Sequence, residues 1–536
     1  MAMINMSLIG KLSSIFHDKV PFLILINFIL LIVMIYLNKE YIRKLLLKID
    51  RKTWFFLVLI FMMALLIRIF IPPHQHIMYI DEAWYMEAAK NMLQTGSQNY
   101  YIRSIGWPFI LTIAFGIFGI SNWVALYAST VLGALTIFNV FLLTFIITKH
   151  KSASLISALL FSFFPAHIRW SASAESIVPS LFFITLTLFF CFLYYTNKTK
   201  SLLWLSLISM AFAIQFRPEN VVYPVLFLFG CILFDKKFFK KIDIKFVLPF
   251  LVLLLLSFAN FTQDLDFYLS TDWTEDDSNG ELVGDNFGFQ NLVLNSSEYG
   301  KYLFNNELQP VIFTFLFIIG LLYMFHKQKR ESLFLLGWFC LLWFVYFFSY
   351  QTAGGGTHYM AKTKFFVSFY PITVSWGVYG ILLIKDFLST KIKSPKVKKL
   401  ILSLVIVLFA ISFIPYSIKA STWFADPAHK LETKIPELVE KDIPHDCVII
   451  ANYPTILKST TDFQVIDVKL FLDNRQNQEK IFSNTDCVLF FEDLTCELWE
   501  FEGKQCKKIK DNFLINEFIS YEEKDVKYTF YKIFQN

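Results

Sequence analysis

Long apolar runs recur along almost the whole chain and constrain its fold more than any other feature. A helix needs about 20 apolar residues to cross about 30 Å of hydrocarbon. Hydrophobic residues fill 56% of the 536 positions and charged residues only 17%, whereas soluble domains carry about 25% charged residues. The sequence therefore predicts a polytopic α-helical membrane protein. Twelve candidate spans can be identified, at residues 21–37, 53–71, 123–148, 152–168, 176–195, 202–216, 220–234, 246–262, 310–325, 333–350, 366–386 and 399–417.

One further apolar run, residues 107–120, is short and contains Gly116 and Gly119. We interpret it as a re-entrant or interfacial segment, and a thirteenth span is the alternative. The first run, 21–37, lacks a small-residue cleavage site and is followed by basic residues, which favours a retained anchor over a signal peptide.

The distribution of lysine predicts the orientation. Alternate loops between the candidate spans are basic, and the positive-inside rule assigns them to the cytoplasm. The opposite loops, 72–122, 263–309 and 351–365, are then outside, together with both termini. The expected location is the plasma membrane. The basic loops are "NKEYIRKLLLKIDRK", "KHK", "NKTK", "DKKFFKKIDIK", "HKQKR" and "KDFLSTKIKSPKVKK".

The composition changes after residue 418, where short apolar runs alternate with polar turns; the runs are "CVIIANYP", "FQVIDVKLF", "CVLFFED" and "YTFYKIF". This pattern predicts a small extracytoplasmic α/β domain over residues 419–536, after an N-terminal span and basic loop (1–52) and a transmembrane catalytic domain (53–418). The nearby Cys496 and Cys506 are expected to form a disulfide. For Cys447 and Cys487, both a disulfide and buried thiols remain open.

The stretch "MYIDEAWYMEAAKNML" places Asp81 and Glu82 directly before an amphipathic helix. Trp84, Ala88 and Met92 recur on one face, while Glu87 and Lys90 face away. Acidic residues are favoured at helix N-termini, so the pair can be an ordinary helix start. The alternative is that a carboxylate on the outer side of the membrane acts as a general base.

His74 and His76 lie just before this pair and, with an acid nearby, could bind a divalent metal. Solvated loop histidines are the simpler interpretation. The sequence establishes no cofactor, and the absence of one is favoured over a divalent metal.

Arginine is rare in this chain, with eight among 49 basic residues, and four of the eight fall at the predicted outer boundary. Arg68 and Arg103 are expected to snorkel to the interface. Arg169 and Arg217 each have an acid nearby, Glu175 and Glu219. They are candidates for binding phosphate oxygens, and a structural ion pair is the alternative.

The segment "QTAGGGTHYMAKTKFF" forms a second polar cluster, in which His358, Tyr359, Lys362 and Lys364 follow three glycines. Glycines let the backbone approach a ligand closely. The segment is a candidate anion site, and a flexible turn with snorkelling lysines is the alternative.

Together these segments resemble the C-type membrane glycosyltransferases, particularly the protein O-mannosyltransferase and aminoarabinose transferase group. The resemblance is carried by "DEAWYMEAAKNML", "FRPENVVYPVLFLF" and "HYMAKTKFFVSFYP", and it covers residues 53–385. His358 stands where an arginine is expected from the group. The chain has no "WWDYG"-like element, which argues against an oligosaccharyltransferase.

The resemblance implies transfer of a sugar from a polyprenyl-phosphate donor to a glycan, lipid or protein acceptor, with inversion by one direct displacement. It assigns the catalytic base to Asp81, assisted by Glu82. It implies that the bilayer is a partner and that nucleic acid is not. The donor phosphate would be bound by Arg169, Arg217, His358, Tyr359 and Lys362.

Two functions compete with this interpretation. A transporter or flippase of a lipid-linked anionic glycan is expected to show ionisable residues at mid-span or paired broken helices. A non-catalytic envelope scaffold that presents the C-terminal domain would give no particular role to Asp81.

Overall fold

The computed structural model describes most of the chain. The predicted span 246–262 lies outside the described residues, as do Arg103, His358 and most of the acidic loop 263–309. The described residues are 20–77, 79–97, 104–235, 238, 289–306, 308–348, 359–421, 427–493, 496, 500–524 and 526–535.

The first part of the chain is helical. Its helices are α1 Val20–Leu37, α2 Lys39–Leu46, α3 Arg51–Phe70, α4 Tyr79–Thr95, α5 Gly106–Phe118, α6 Asn122–Thr148, α7 Lys151–Ser162, α8 Pro165–Ser171, α9 Ile177–Asn197, α10 Lys200–Ile214 and α11 Tyr223–Phe234. A 3₁₀ turn, Pro218–Val222, precedes α11.

A second helical series follows the undescribed segment. It comprises α12 Phe289–Leu303, α13 Val311–Lys327, α14 Lys329–Phe348, α15 Tyr359–Phe366, α16 Tyr370–Lys391 and α17 Pro395–Ser421. A 3₁₀ turn, Val367–Phe369, joins α15 to α16.

Among the described residues, seven helical segments are long and apolar enough to cross a membrane, and the bent pair α7 and α8 would make eight. The protein is therefore a multi-pass membrane protein, but the predicted count of twelve spans is not confirmed. Four predicted spans or segments correspond to shorter apolar helices or helix pairs: 106–118, 200–214, 218–234 and 311–327. At about 1.5 Å per residue, the 13 residues of α5 extend only about 20 Å.

Small residues let two of the central helices meet closely. A Cβ atom on Gly320 in α13 would lie 1.9 Å from the carbonyl oxygen of Trp376 in α16. One on Gly380 would lie 2.4 Å from the carbonyl oxygen of Leu316. Close backbone approach at glycine is a usual way to pack helices where burial of apolar surface gives little drive for association.

Arg68 does not snorkel as expected, because its side chain is buried inside the protein. Its side chain is fully buried beside the 64° bend between α7 and α8. The last carbonyls of α7 have no partner within the helix, and Arg68 donates to one of them, Ser162 O, at 3.3 Å. It also donates to Ala64 O and Ser171 Oγ and contacts His167 Nδ1. Arg68 thus joins α3 to both halves of the bend.

The C-terminal part is an α/β domain, as predicted. Its helices and strands are α18 Pro427–Asp442, β1 Val448–Ala451, α19 Thr455–Lys458, β2 Gln464–Asp467, α20 Val468–Asp473, α21 Arg475–Asn484, β3 Val488–Glu492, α22 Glu500–Asn512, β4 Leu514–Glu523 and β5 Val526–Phe534. The strand order is β2-β1-β3-β5-β4. Strands β1, β2 and β3 are parallel, and β5 joins β3 and β4 in antiparallel pairs.

Apolar side chains on the two faces of this sheet pack into separate cores. Leu431 and Ile435 of α18 pack with Ile449 on one face, and Phe471 of α20 packs with Phe490 on the other. Cys496 and Cys506 form the predicted disulfide. Cys447 and Cys487, for which two interpretations were open, form a second one.

Candidate active site

Asp81 and Glu82 are consecutive residues in the first turn of α4. Successive side chains on a helix point about 100° apart, so the two carboxylates enter different surroundings. The Asp81 side chain is 13% exposed, whereas the Glu82 side chain is fully buried. The two carboxylates therefore differ in their access to solvent and are suited to different roles.

Glu82 is held by three donors. It accepts hydrogen bonds from the backbone N–H of Ile77 at 2.6 Å and of Ala174 at 2.7 Å. Its Oε2 also lies 2.8 Å from His76 Nδ1. Donors directed at a carboxylate favour its ionised form. Glu82 therefore ties the loop before α4 to the loop between α8 and α9.

His76 links Glu82 to the C-terminal domain. Its Nε2 lies 3.1 Å from Asn122 Oδ1, and Asn122 Nδ2 donates to Thr433 O at 2.6 Å. The backbone N–H of His76 donates to Thr433 Oγ1 at 3.1 Å. Burial lowers the pKa of His76, but the charges of Glu82 and Glu432 and the hydrogen bonds to Glu82 and Asn122 outweigh burial and raise it overall.

His74 has a different role from His76. Its Nε2 lies 3.2 Å from Thr130 Oγ1, and its ring stacks on Tyr127. Burial and the nearby charge of Arg169 lower the pKa of His74 to about 4. The two histidines do not converge on one point, and no group of three His, Cys, Asp or Glu side chains suited to a metal occurs in the described part of the chain.

Asp81 faces a cluster of charged side chains that starts at Lys364 of α15. Lys364 Nζ lies 3.6 Å from Asp81 Oδ2 and 2.7 Å from Glu175 Oε1. Sequence reasoning chose Lys362 rather than Lys364 as a site residue. The side chains of Lys362 and Tyr359 are outside the described residues.

Arg217 extends this cluster. It forms an ion pair with Glu219, lies 3.9 Å from Glu175 Oε2 and donates to Ser176 Oγ at 3.3 Å. Burial raises the pKa of Glu175, but the charges of Lys364 and Arg217 outweigh burial and lower it overall. Negative and positive groups thus alternate from Asp81 through Lys364, Glu175 and Arg217 to Glu219.

Backbone contacts position these side chains. The Gly106 N–H donates to Gln215 O at 2.7 Å, and a Cβ atom on Gly106 would lie 2.8 Å from that oxygen. Only glycine allows this approach, which fixes the loop that carries Arg217. Trp107 Nε1 donates to Ala174 O at 2.6 Å, next to Glu175. Tyr85 OH lies 3.1 Å from Ser176 Oγ.

Arg169 lies on the Glu82 side of the site. It is fully buried and its NH1 donates to Pro73 O at 3.2 Å. The predicted phosphate candidates are therefore divided: Arg217 is in the Asp81 cluster, and Arg169 supports the loop before α4.

The C-terminal domain covers part of the polar face of α4. Glu87 and Lys90 face away from the apolar face of α4, yet Lys90 is buried and Glu87 is half-buried. Lys90 donates to Thr461 O and lies 3.0 Å from Asp462 Oδ1. The charge of Lys458 acts on Glu87, although burial raises the pKa of Glu87 overall. Helix α4 is therefore enclosed between the membrane helices and the C-terminal domain.

The site combines a partly exposed carboxylate with two cations on one side of it. Asp81 can accept a proton from a hydroxyl. Lys364 and Arg217 can bind an oxyanion, because both present charged N–H donors. This combination suits proton abstraction beside a leaving anion.

The comparisons with known proteins give the fold. ArnT from Cupriavidus metallidurans in the apo state superposes with a TM-score of 0.57 at 11% identity, covering 88% of this chain and 97% of ArnT. The same protein bound to undecaprenyl phosphate gives 0.57 at 12% identity, covering 90% and 98%. The chain has the ArnT fold. The resemblance to C-type membrane glycosyltransferases is thereby confirmed for the fold.

Sequence comparisons cover less of the chain. The family described as dolichyl-phosphate-mannose-protein mannosyltransferase matches residues 103–261. This stretch contains Arg169, Glu175 and Arg217, but neither Asp81 nor Lys364. An uncharacterized protein of Aquifex aeolicus (strain VF5) is 28% identical over 281 residues, which is 50% of this chain and 54% of that protein. The chain thus spans about half the length of this curated relative.

Proposed function

We propose that this protein is a membrane glycosyltransferase that moves a sugar from a polyprenyl-phosphate donor to an acceptor hydroxyl on a glycan, lipid or protein. The observation that carries the proposal is the contact between Asp81 and Lys364, 3.6 Å apart. It combines a base with a phosphate-binding cation. The matched mannosyltransferase family and the ArnT structure with undecaprenyl phosphate support the same donor class.

In the proposed reaction, Asp81 takes the proton from the acceptor hydroxyl as the oxygen attacks the anomeric carbon. The new bond joins the acceptor oxygen to that carbon, and the bond from the carbon to the phosphate oxygen breaks. The polyprenyl phosphate leaves with the electron pair. Lys364 and Arg217 stabilise the charge that develops on it. One displacement inverts the anomeric centre.

The remaining predicted site residues take separate roles in this proposal. Glu82 holds Asp81 in place, because its carboxylate is occupied by three donors. Arg169 supports the loop that leads to Asp81. His358, Tyr359 and Lys362 stay proposed phosphate ligands, since their side chains lie outside the described residues.

We also propose that the site and the C-terminal domain are extracytoplasmic. The two disulfides of the C-terminal domain support this side of the membrane, because disulfides persist in oxidising compartments. The lysine-rich alternate loops point to the same orientation.

Sugar transfer by the purified protein tests the proposal. The probes are radiolabelled polyprenyl-phosphate hexoses, with a membrane extract as acceptor, and the wild type is compared with Asp81→Asn. Glu479→Gln is the matched control, because Glu479 is an exposed acid in α21. We expect transfer by the wild type and the control, and a loss of at least about 100-fold in Asp81→Asn.

Other results would contradict the proposal in different ways. Equal transfer by Asp81→Asn would leave Asp81 as a helix start only. Absence of transfer with every donor, combined with movement of the lipid-linked anion across vesicles, would favour the flippase. Absence of both would favour the scaffold.

A further inference from the structure

We infer that the C-terminal domain positions Asp81 by clamping helix α4 at two points. The first point consists of His76, Asn122 and Thr433. The second consists of Lys90, Thr461 and Asp462. The catalytic consequence rests on the proposed function. The clamp itself does not, because it can be observed without any sugar donor.

At the first point, a single residue of α18 is bound twice. Thr433 accepts from the His76 backbone N–H through its hydroxyl and from Asn122 Nδ2 through its carbonyl. His76 and Asn122 are also bonded to each other. All three residues are buried. The loop before α4 and the start of α6 therefore share one attachment to the C-terminal domain.

The hydrogen-bond directions require His76 to be doubly protonated. Asn122 uses its Nδ2 as the donor to Thr433 O, so its Oδ1 faces His76 and can only accept. Glu82 receives two backbone donors and offers His76 an acceptor as well. Both ring nitrogens must then carry hydrogen. The link between Glu82 and Asn122 is thus an imidazolium whose two N–H groups are both used.

At the second point, Lys90 lies about two turns after Glu82 on α4. Its side chain is only 9% exposed, and it donates to Thr461 O and pairs with Asp462. These residues follow α19, whereas Thr433 is in α18. Two separate segments of the C-terminal domain therefore hold the N-terminal turn and the middle of α4, which limits both translation and rotation of the helix.

Restraint of α4 acts directly on Asp81, because Asp81 precedes the anchored Glu82 by one residue. A displacement of about 1 Å between reacting groups can cost about 100-fold in rate. Loosening the clamp should therefore lower the rate of the chemical step, while the donor phosphate still meets Lys364 and Arg217 on other segments.

The clamp is tested with Thr433→Val, which removes the hydroxyl acceptor and retains the shape of the side chain. Thr433→Ser keeps the acceptor and should restore the wild-type behaviour. Thr485→Val is the matched control, because Thr485 in the same domain bonds only within that domain. The first readout is hydrogen exchange of the peptide covering residues 79–92 in the full-length protein.

We expect exchange in this peptide to become roughly ten-fold faster in Thr433→Val, because a buried donor is left without its acceptor. Lys90→Met, which removes the second point, should accelerate exchange further along the same helix. Unchanged exchange in both variants would overturn the clamp. Equal acceleration in Thr485→Val would mean general loosening of the domain and would overturn it as well.

Kinetics provide the second readout. If the clamp positions Asp81, Thr433→Val lowers kcat by about ten-fold or more with little change in the donor KM, and Thr433→Ser recovers it. A rise in KM with unchanged kcat would contradict positioning. If the wild type transfers no sugar but exchange responds as expected, the proposed function fails and the clamp stands.

Discussion

Asp81 and Glu82 are adjacent acids in one helical turn, yet they lie in opposite kinds of site. Asp81 is partly exposed and has a cation at 3.6 Å, beyond hydrogen-bonding distance. Glu82 is fully buried and accepts three hydrogen bonds within 2.8 Å. An accessible carboxylate can accept a proton from a substrate, whereas a buried one that already accepts hydrogen bonds cannot do so without breaking them.

The difference shows how one helical turn can hold one acid firmly and leave its neighbour accessible. The helix orients both acids, but only Glu82 is joined to the loops and, through His76, to the C-terminal domain. Chemistry and anchoring are thus divided between neighbouring residues. Each of the following predictions tests that division.

The largest effect is expected from Asp81→Asn. It should lower kcat by about 10² to 10⁴-fold, the usual contribution of a general base. The thermal unfolding midpoint in detergent should stay near that of the wild type, because Asp81 is partly exposed and asparagine has nearly the same shape. A large drop in the midpoint would show that Asp81 is also an anchor.

Glu82→Ala should have its main effect on stability. Removing one partner of a buried ion pair costs about 3–5 kcal/mol, and here His76 and two backbone N–H groups lose their acceptor. Denaturation in detergent, with Asp81→Ala as the matched variant, measures the difference. Equal destabilisation by the two variants would contradict the contrast between them.

Lys364→Met should weaken binding of polyprenyl phosphate by about 10 to 100-fold, since a hydrogen bond to a charged group contributes about 1.5–3 kcal/mol. Lys385→Met is the control, because Lys385 is exposed and lies near the far end of α16. Binding can be measured by titration of the purified protein. Unchanged affinity in Lys364→Met would remove this lysine from the phosphate site.

The smallest effect is the pH dependence of the clamp. The folded-state pKa of His76 is raised, so its stabilisation is fully present below the unfolded pKa of about 6.5 and is lost as the pH rises through the folded value. Exchange in residues 79–92 should therefore accelerate on the alkaline side, by at most about ten-fold per pH unit. Glu82 and Glu432 are the charged groups that act on His76.

His76→Gln serves as the comparison for this pH test. It keeps polar contacts but cannot be charged, so its exchange should not depend on protonation at this position. The same pH profile in the wild type and in His76→Gln would assign the dependence to another group.

The sequence identified the acidic pair because two adjacent acids after a span are unusual in so apolar a chain. It could not separate their roles, because the surroundings of Glu82 depend on residues far away in the chain. Ala174 donates to Glu82 directly, and Thr433 binds His76, which in turn contacts Glu82. Ion pairs of Arg217 with Glu219 and of Arg169 with Glu175 were the alternative to phosphate binding. The first is present, and Arg217 additionally reaches Glu175.

Lys364 and Arg68 illustrate a second limit. The segment around Lys364 was recognised as polar, but the face of an eight-residue helix that meets Glu175 is set by tertiary packing. Arg68 was expected at the interface because arginine is costly in a span. The broken helix beside it supplies carbonyl acceptors, and Pro165 marks the break, although 152–168 was predicted as one span.

The C-terminal domain was easier to predict, because short apolar runs and turns specify strands locally. Runs ending near Ala451 and Glu492 correspond to β1 and β3. Strand β4 was not among the predicted runs, since Asn516, Glu517, Glu522 and Glu523 interrupt its apolar residues and it lies at the sheet edge.

The attachment at Thr433 also sets the order in which the protein can mature. His76 and Thr433 are separated by 357 positions, and Asn122 and Thr433 by 311. Domains generally fold from the N-terminus as the chain is synthesised. The helices around His76 and Asn122 are therefore inserted well before Thr433 is available to bind them. A chain that stops before the C-terminal domain would leave His76 and Asn122 without their contacts to Thr433, so the inferred clamp would form only once that domain has been made.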